Sequence, residues 1–258
     1  VKIIIYENSS SDQPANTAIP DFIMTLAIMQ PYFLPYIGYM QLMSAVDTFV
    51  LYDDVAFINR GWINRNKLLI NGQEHLFTVP LKDASQNKRI NEVHLADDPK
   101  WRSKLLKTIE QGYRKAPYYG TVMPLTEKII NFATDSIADL IHFSLVELNQ
   151  YLGLTTRLVA SSTVYNNGHL RAQERILDIC RQENASRYIN PIGGTELYDK
   201  PTFTAASIEL NFIKAKRVEY PQFNRSGNEF IPWLSVLDAL MFNDVAAVRT
   251  MLGEYELV

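Results

Sequence analysis

The chain has 258 residues, 47% of them hydrophobic and 21% charged, with a formal net charge of −3. That length and apolar share allow a substantial core, as one large domain or two small ones, and the near-neutral balance gives no global attraction to DNA or to an anionic membrane. A single cysteine excludes an internal disulfide framework and fits a reducing compartment. No apolar run reaches the roughly 18 residues of a membrane span, and VKIIIYEN is too short for a secretory core, so a soluble cytoplasmic protein is expected.

The first 23 residues include NSSSDQPANTAIP, a polar, proline-punctuated composition that reads as a flexible extension. Residues 24–258 read as a single α/β domain with a helical insertion at about 99–153. TLAIMQ (25–30) has the unbroken apolar character of a buried parallel strand, a helix covers about 37–45, and TFVLYDDV (48–55) is a second strand ending on two aspartates. KLLINGQEHLFTVPL (67–81) is a hairpin, with Asn71-Gly72 suited to a type I′ turn. Asp98 and Pro99 open a helix of about 99–114 whose Trp101, Leu105 and Ile109 share one face. Two further helical segments follow. The second starts near Ser136, where Ser-x-x-Asp resembles a capping box, and Gly153 ends it.

The last third alternates strand and helix: a strand at 156–162, an amphipathic helix at 171–184 and a strand at 187–190. A helix broken by Pro201, a strand at 208–215 and terminal helices over 231–252 complete it. Within 171–184, Cys180 falls at apolar spacing with Ile176 and Leu177, which marks a core thiol rather than a nucleophile. The whole order predicts a mostly parallel, doubly wound α/β sheet of Rossmann-like type, with an added β-hairpin and a helical segment.

In such sheets ligands bind beyond the C-terminal strand ends. The residues there are Gln30-Pro31-Tyr32, Asp53-Asp54, Ser161-Ser162-Thr163, Asn190-Pro191-Ile192-Gly193-Gly194 and, more distantly, Tyr220-Pro221-Gln222. Their polar, glycine-containing and aromatic character predicts one pocket. Tyr36-Ile37-Gly38-Tyr39 lies where nucleotidylyltransferase-like folds carry His-x-Gly-His, a register that suits a nucleotide phosphate at a helix N-terminus. Both histidines are tyrosine here, so the positive charge is missing, and a packed aromatic turn is the equal alternative.

In DDVAFINRGWINRNKLL (53–69), Asp53 and Asp54 offer a base or hard oxygen ligands, although adjacent strand residues point to opposite faces. Arg60, Arg65 and Lys67, with Asn59, Trp62 and Asn64, form a cation, aromatic and amide cluster suited to a phosphorylated sugar or nucleotide sugar. The bland alternative is a solvated loop whose charges pair with the aspartates. Gly193-Gly194, with Tyr198 in the same block, can turn backbone N–H groups toward an anion or simply make a tight turn. His142, His75 and His94 read as surface or structural residues, whereas His169, near the Ser161-Ser162 strand end, is a candidate general base. No Cys/His metal spacing, P-loop or nucleophile elbow is present, and the sequence identifies no cofactor.

IMQPYFLPYIGYMQL, followed by AVDTFVLYDDVAFINRGWINRNKLL, closely resembles the opening signature of the WbqC-like proteins. ERILDIC, YINPIGGTELYDKPTF, IELNF and YPQF followed by IPWLSVLDAL are similar to that family's second half, so the resemblance runs from about Met24 to the C-terminus. It implies a place among bacterial surface polysaccharide proteins, including those of O-antigen and lipopolysaccharide biosynthesis. It also implies acyl or aminoacyl transfer, with a donor or its carrier as partner, onto a nucleotide-linked amino sugar. No catalytic residue is carried over from the family. On this reading Asp53 or His169 is the base, Arg60, Arg65 and Lys67 hold phosphate, and Trp62 and Tyr36 pack on sugar or base. The alternatives are a Mg-dependent adenylyl- or acyl-adenylate-forming enzyme, or a non-catalytic scaffold of polysaccharide assembly.

Overall fold

The protein is described by a computed structural model covering residues 23–223 and 229–258. The extension expected at 1–23 therefore lies outside the described residues, except for Ile23. A six-stranded sheet forms the centre, from β1 (Thr25–Met29), β2 (Thr48–Leu51), β7 (Arg157–Val159), β8 (Arg187–Pro191), β9 (Glu209–Ala215) and β10 (Tyr255–Leu257). Its order is β7-β2-β1-β8-β9-β10, with every pairing parallel except β9 with β10. The chain winds outward from β1 through β2 to β7, crosses back to the far side of β1, and winds outward again through β8 and β9. The reversal between β1 and β8 is the topological switch point of a doubly wound sheet.

Alternating residues divide the strands between two faces. Leu26, Ile28, Val50, Tyr188, Leu210 and Phe212 pack with α5 (Ala172–Gln182) and α6 (Lys200–Ala205). Ala27, Phe49, Leu51, Ile189 and Ile213 pack on the other face with α1 (Ile37–Ser44), α7 (Val236–Phe242) and α8 (Val245–Leu252). That second core continues into the hairpin of β3 (Arg65–Ile70) and β4 (Gln73–Thr78), and into α2 (Lys100–Tyr113), α3 (Tyr119–Ile130) and α4 (Ile137–Tyr151). The two-residue strands β5 (Leu81–Lys82) and β6 (His94–Leu95) pair beside it.

Local signals explain many of the boundaries. Asn71 and Gly72 both have positive φ (53° and 77°), as a type I′ turn requires. The Ser136 hydroxyl accepts from the Asp139 N–H at 3.2 Å, and Gly153 at φ 62° follows the end of α4. Trp101, Leu105 and Ile109 are buried together on α2, and Cys180 is fully buried, its thiol pushed up to about 12 by desolvation.

Two expectations need correction. Pro201 does not break a helix: the preceding residues are irregular, and α6 begins at Lys200, with Asp199 as its N-cap and Pro201 in the first turn, where no N–H is needed. The strand expected at 48–55 ends at Leu51, so Asp53 and Asp54 lie beyond it.

Candidate functional site

Because β2 has ended, strand alternation no longer separates the two aspartates, and both reach one hydroxyl. Ser162 Oγ lies 2.5 Å from Asp54 Oδ1 and 3.3 Å from Asp53 Oδ1. Asp53 Oδ1 also accepts from Ser161 Oγ at 2.8 Å and from the Ser162 N–H at 3.0 Å. The first residues after β7 thus fold onto the end of β2. Burial raises the Asp53 pKa above its ordinary value, and the Ser161 and Ser162 donors offset that only in part. Both recorded serine side chains bond Oδ1, leaving Oδ2 as the oxygen without a serine donor.

Asp54 is neutralised from α5. Arg175 Nη2 meets Asp54 Oδ2 at 2.5 Å, with the two side chains only 4% and 5% exposed. Arg175 Nε donates to Asn167 Oδ1 at 2.9 Å, Asn167 Nδ2 donates to Asp178 Oδ2 at 2.7 Å, and the guanidinium stands 4.8 Å from the Tyr52 ring centroid. Both Asp54 oxygens are therefore occupied, one by the cation and one by Ser162. Two carboxylates facing one hydroxyl cannot both receive its single proton. Arg175 pairs with Asp54, which leaves Asp53 as the carboxylate of the two without a cation partner among the described residues.

At the end of β8, Asn190 Nδ2 donates to the Tyr188 hydroxyl at 2.7 Å, and Tyr188 meets Tyr198 edge-on at 5.8 Å. A Cβ at Gly194 would stand 2.1 Å from Asn190 Oδ1, so any larger residue there displaces Asn190. Gly193 faces open space instead, with nothing within 4 Å of a built Cβ.

The turn after β1 is a rigid wall. Leu34 has φ 44°, and its carbonyl accepts from Asn66 Nδ2 and Ser235 Oγ, each at 2.8 Å; Phe33 N–H donates to Ile63 O, and Val236 N–H to Pro35 O. Tyr39 is buried, donates to Gln30 O at 3.1 Å and packs against Tyr32 and Phe49 at 5.3 Å each. Tyr36 packs edge-on against Trp233 and lies over Gly38, where a Cβ would approach its ring to 2.4 Å. Burial raises the pKa of Tyr32, Tyr36 and Tyr39, so these remain neutral phenols at neutral pH. Tyr39 is a core residue by position, while Tyr32 and Tyr36 are half-buried.

The 59–67 block is more dispersed than its sequence density implied. Asn59 and Arg60 are exposed, Arg60 at φ 58°, and Trp62 is 43% exposed. Arg65 donates from Nε to Gly61 O at 2.8 Å and lies 5.6 Å from the Trp62 ring, Asn64 bonds Val79 O, and Lys67 pairs with Glu74 at 2.5 Å. Among the described residues, no ion pair joins Arg60, Arg65 or Lys67 to Asp53 or Asp54, so the expected loop-to-aspartate pairing is not formed. His169 is exposed in the turn before α5.

Gln222 lies apart from these groups, in a cleft of about 620 Å³ between the hairpin turn, the end of α2 and the segment after β9. Of the strand-end residues chosen from sequence, only the Tyr220-Pro221-Gln222 group lines it, so the strand ends do not converge on this one cavity. Gln222 is 8% exposed, and its amide closes a neck with Ile231 while donating to Asp238 Oδ2 at 2.7 Å.

Sequence reading missed Arg175, Tyr52 and Asp238. Arg175 and Asp238 left a signal: each sits next to the apolar stripe of its helix, where a buried charge demands partners.

The WbqC-like protein family model matches residues 30–250. A protein of Mycobacterium tuberculosis (strain ATCC 25618 / H37Rv), described as uncharacterized protein Rv1507c, is 27% identical over 220 residues, covering 84% of this chain and 93% of its own length. No solved structure gives a significant match.

Proposed function

This chain belongs to the WbqC-like protein family, and from that membership and the strand-end geometry we propose that it is a transferase forming an amide on a nucleotide-linked amino sugar. The observation that carries the chemistry is Asp53, a buried carboxylate at the sheet's C-terminal edge with a raised pKa and an Arg175-neutralised neighbour. In the transfer, the neutral sugar amine attacks the donor's acyl carbon. The C–N bond forms as the donor's leaving group departs with the electron pair of the acyl bond. The amine proton passes to Asp53, whose elevated basicity suits that role. Ser161 and Ser162 orient the carboxylate, and Asp54 with Arg175 fixes Ser162.

The β1–β8 switch point supports a nucleotide-bearing ligand, because crevices of this topology open between diverging loops. Asn59, Arg60 and Trp62 are the exposed members of the 59–67 block and so its available ligand contacts. The adenylylation alternative is less well supported: its paired aspartates would share a cation, yet Asp54 already serves Arg175. A place in surface polysaccharide assembly remains part of the proposal.

The test is a thermal-shift screen with nucleotide sugars, nucleotides with and without Mg²⁺, and acyl or aminoacyl donors. Any combination that raises the unfolding temperature is then assayed for an amide product by mass spectrometry. A nucleotide amino sugar should stabilise both wild type and Asp53→Asn, with product made only by the former. Product formation by Asp53→Asn at the wild-type rate would remove Asp53 from the mechanism.

A further inference from the structure

Two of the cations expected to hold a phosphoryl group already have partners within the chain, Lys67 in Glu74 and Arg65 in Gly61 O. Another pair, Arg114 and Lys115, is exposed on the wall of the 620 Å³ cleft directly after α2 ends. No ion pair joins either to a carboxylate among the described residues. Another wall, from the segment after β9, carries the rings of Tyr220 and Phe230, packed edge-on at 5.0 Å.

One buried carboxylate ties the two walls together. Asp238 Oδ1 accepts from the Tyr113 hydroxyl at 2.8 Å, and Oδ2 accepts from the Tyr220 hydroxyl and from Gln222 Nε2 at 2.7 Å each. Tyr113 immediately precedes Arg114, and its oxygen also accepts from the Leu69 N–H at 2.8 Å. Gly112 brings α2 onto the hairpin, since a Cβ there would meet Leu69 O at 2.8 Å and Ile70 Cδ1 at 2.4 Å. The walls are thus fixed by a hydrogen-bonded hub and a backbone contact, which lowers the ordering cost of binding.

The volume falls in the ~300–1,000 Å³ range of small-molecule sites, but the lining is more polar than most apolar pockets. Guanidinium and ammonium groups suit a phosphoryl group, ring faces suit a sugar or base, and the Asn71 and Gln111 amides suit hydroxyls. Of the two lining carboxylates, Glu219 is held by Arg217 at 2.8 Å, while Glu229 makes no ion pair with another described residue. Tyr220 and Phe230 also line a smaller recess reaching Ile37, in the first turn of α1, and Trp233 beside Tyr36. The two cavities share these rings.

We propose that this cleft binds a phosphorylated ring compound, a sugar phosphate or a nucleotide, with the phosphoryl group at Arg114 and Lys115 and the ring against Tyr220 and Phe230. The proposal deepens the transferase reading and rests on it for the role of the ligand, though not for its binding.

The test is isothermal titration calorimetry of the full chain with uridine 5′-diphosphate, glucosamine 1-phosphate, uridine and glucosamine, at low and physiological ionic strength. Wild type, the Arg114→Ala/Lys115→Ala double variant and Lys104→Ala, a cation of α2 outside the cleft lining, are compared; all three changes are at exposed positions, and circular dichroism confirms folding. At least one phosphorylated probe should bind, weaken with salt, and lose tenfold or more in the double variant only. Its unphosphorylated counterpart should bind at least tenfold more weakly. The diphosphate and the sugar phosphate separate the two sources of the phosphoryl group. Equal affinity in the double variant, or an equal loss in Lys104→Ala, overturns the cleft and leaves the transferase reading intact. Failure of every probe to bind overturns it too, while the Asp53→Asn product assay decides the transferase reading separately.

Discussion

Replacing Arg175 by methionine removes the cation from a pair whose side chains are 4% and 5% exposed. The aliphatic volume is largely kept, so packing against Tyr52 and α5 changes little, and the electrostatic loss is isolated. Asp54 keeps only the Ser162 hydroxyl, and Asn167 Oδ1 loses its donor. Breaking a buried pair from one side costs about 3–5 kcal/mol, because the remaining charge is desolvated without compensation. For a chain of this size each kcal/mol lowers Tm by roughly 2–4 °C, so a fall on the order of 10 °C is expected.

The orphaned carboxylate can escape by taking a proton, which makes the loss depend on pH. In the variant its folded-state pKa lies above the unfolded value, so the unfolded state binds fewer protons and stability falls as pH rises. Urea unfolding at about pH 5 and about pH 8 should therefore show the larger loss at the higher pH. The Asp54→Asn/Arg175→Met double variant should recover much of the stability and lose the added pH dependence. A single-variant loss below about 1 kcal/mol, or one equal at both pH values and unrelieved in the double variant, would refute the claim that this pair is buried and mutually dependent.

The glycine pair after β8 gives an internal control: Gly194→Ala should lower stability by about 1–3 kcal/mol because Asn190 must move, while Gly193→Ala should change it little, both read by urea unfolding. Asp53 should itself destabilise the fold as pH rises. Its folded pKa is raised, so stability is greatest below the ordinary carboxylate value and is lost as pH climbs through the raised one; Asp53→Asn should flatten that slope in unfolding measured across pH. Cys180, buried and pushed up to about 12, should react with a thiol reagent only when the protein unfolds, so native-state labelling should follow the global unfolding equilibrium.

Where a local preference and the tertiary context agreed, the sequence alone determined the element. The Asn71-Gly72 turn, the Ser136 cap, the apolar stripe of α2 and the strand–helix alternation are short-range features, and each can be read within a few residues. The strand order could only be framed as doubly wound, yet that was enough to direct attention to Asp53, Asp54, Ser161 and Ser162. What the sequence could not decide was which of these meet. The two aspartates converge on Ser162 because β2 ends early, and the cation that answers Asp54 is Arg175, 121 positions away on α5, rather than a neighbour in the arginine-rich block. Strand β10 was missed for the same reason: three residues pair with β9 only once the terminal helices have returned them to its edge. Asp238 joins α2 to the segment after β9 through partners 125, 18 and 16 positions distant, and Tyr113 carries the link on to the hairpin. A charge on an apolar stripe announces that a partner must exist, because burial without one is too costly. Only the folded chain decides which residue that partner is.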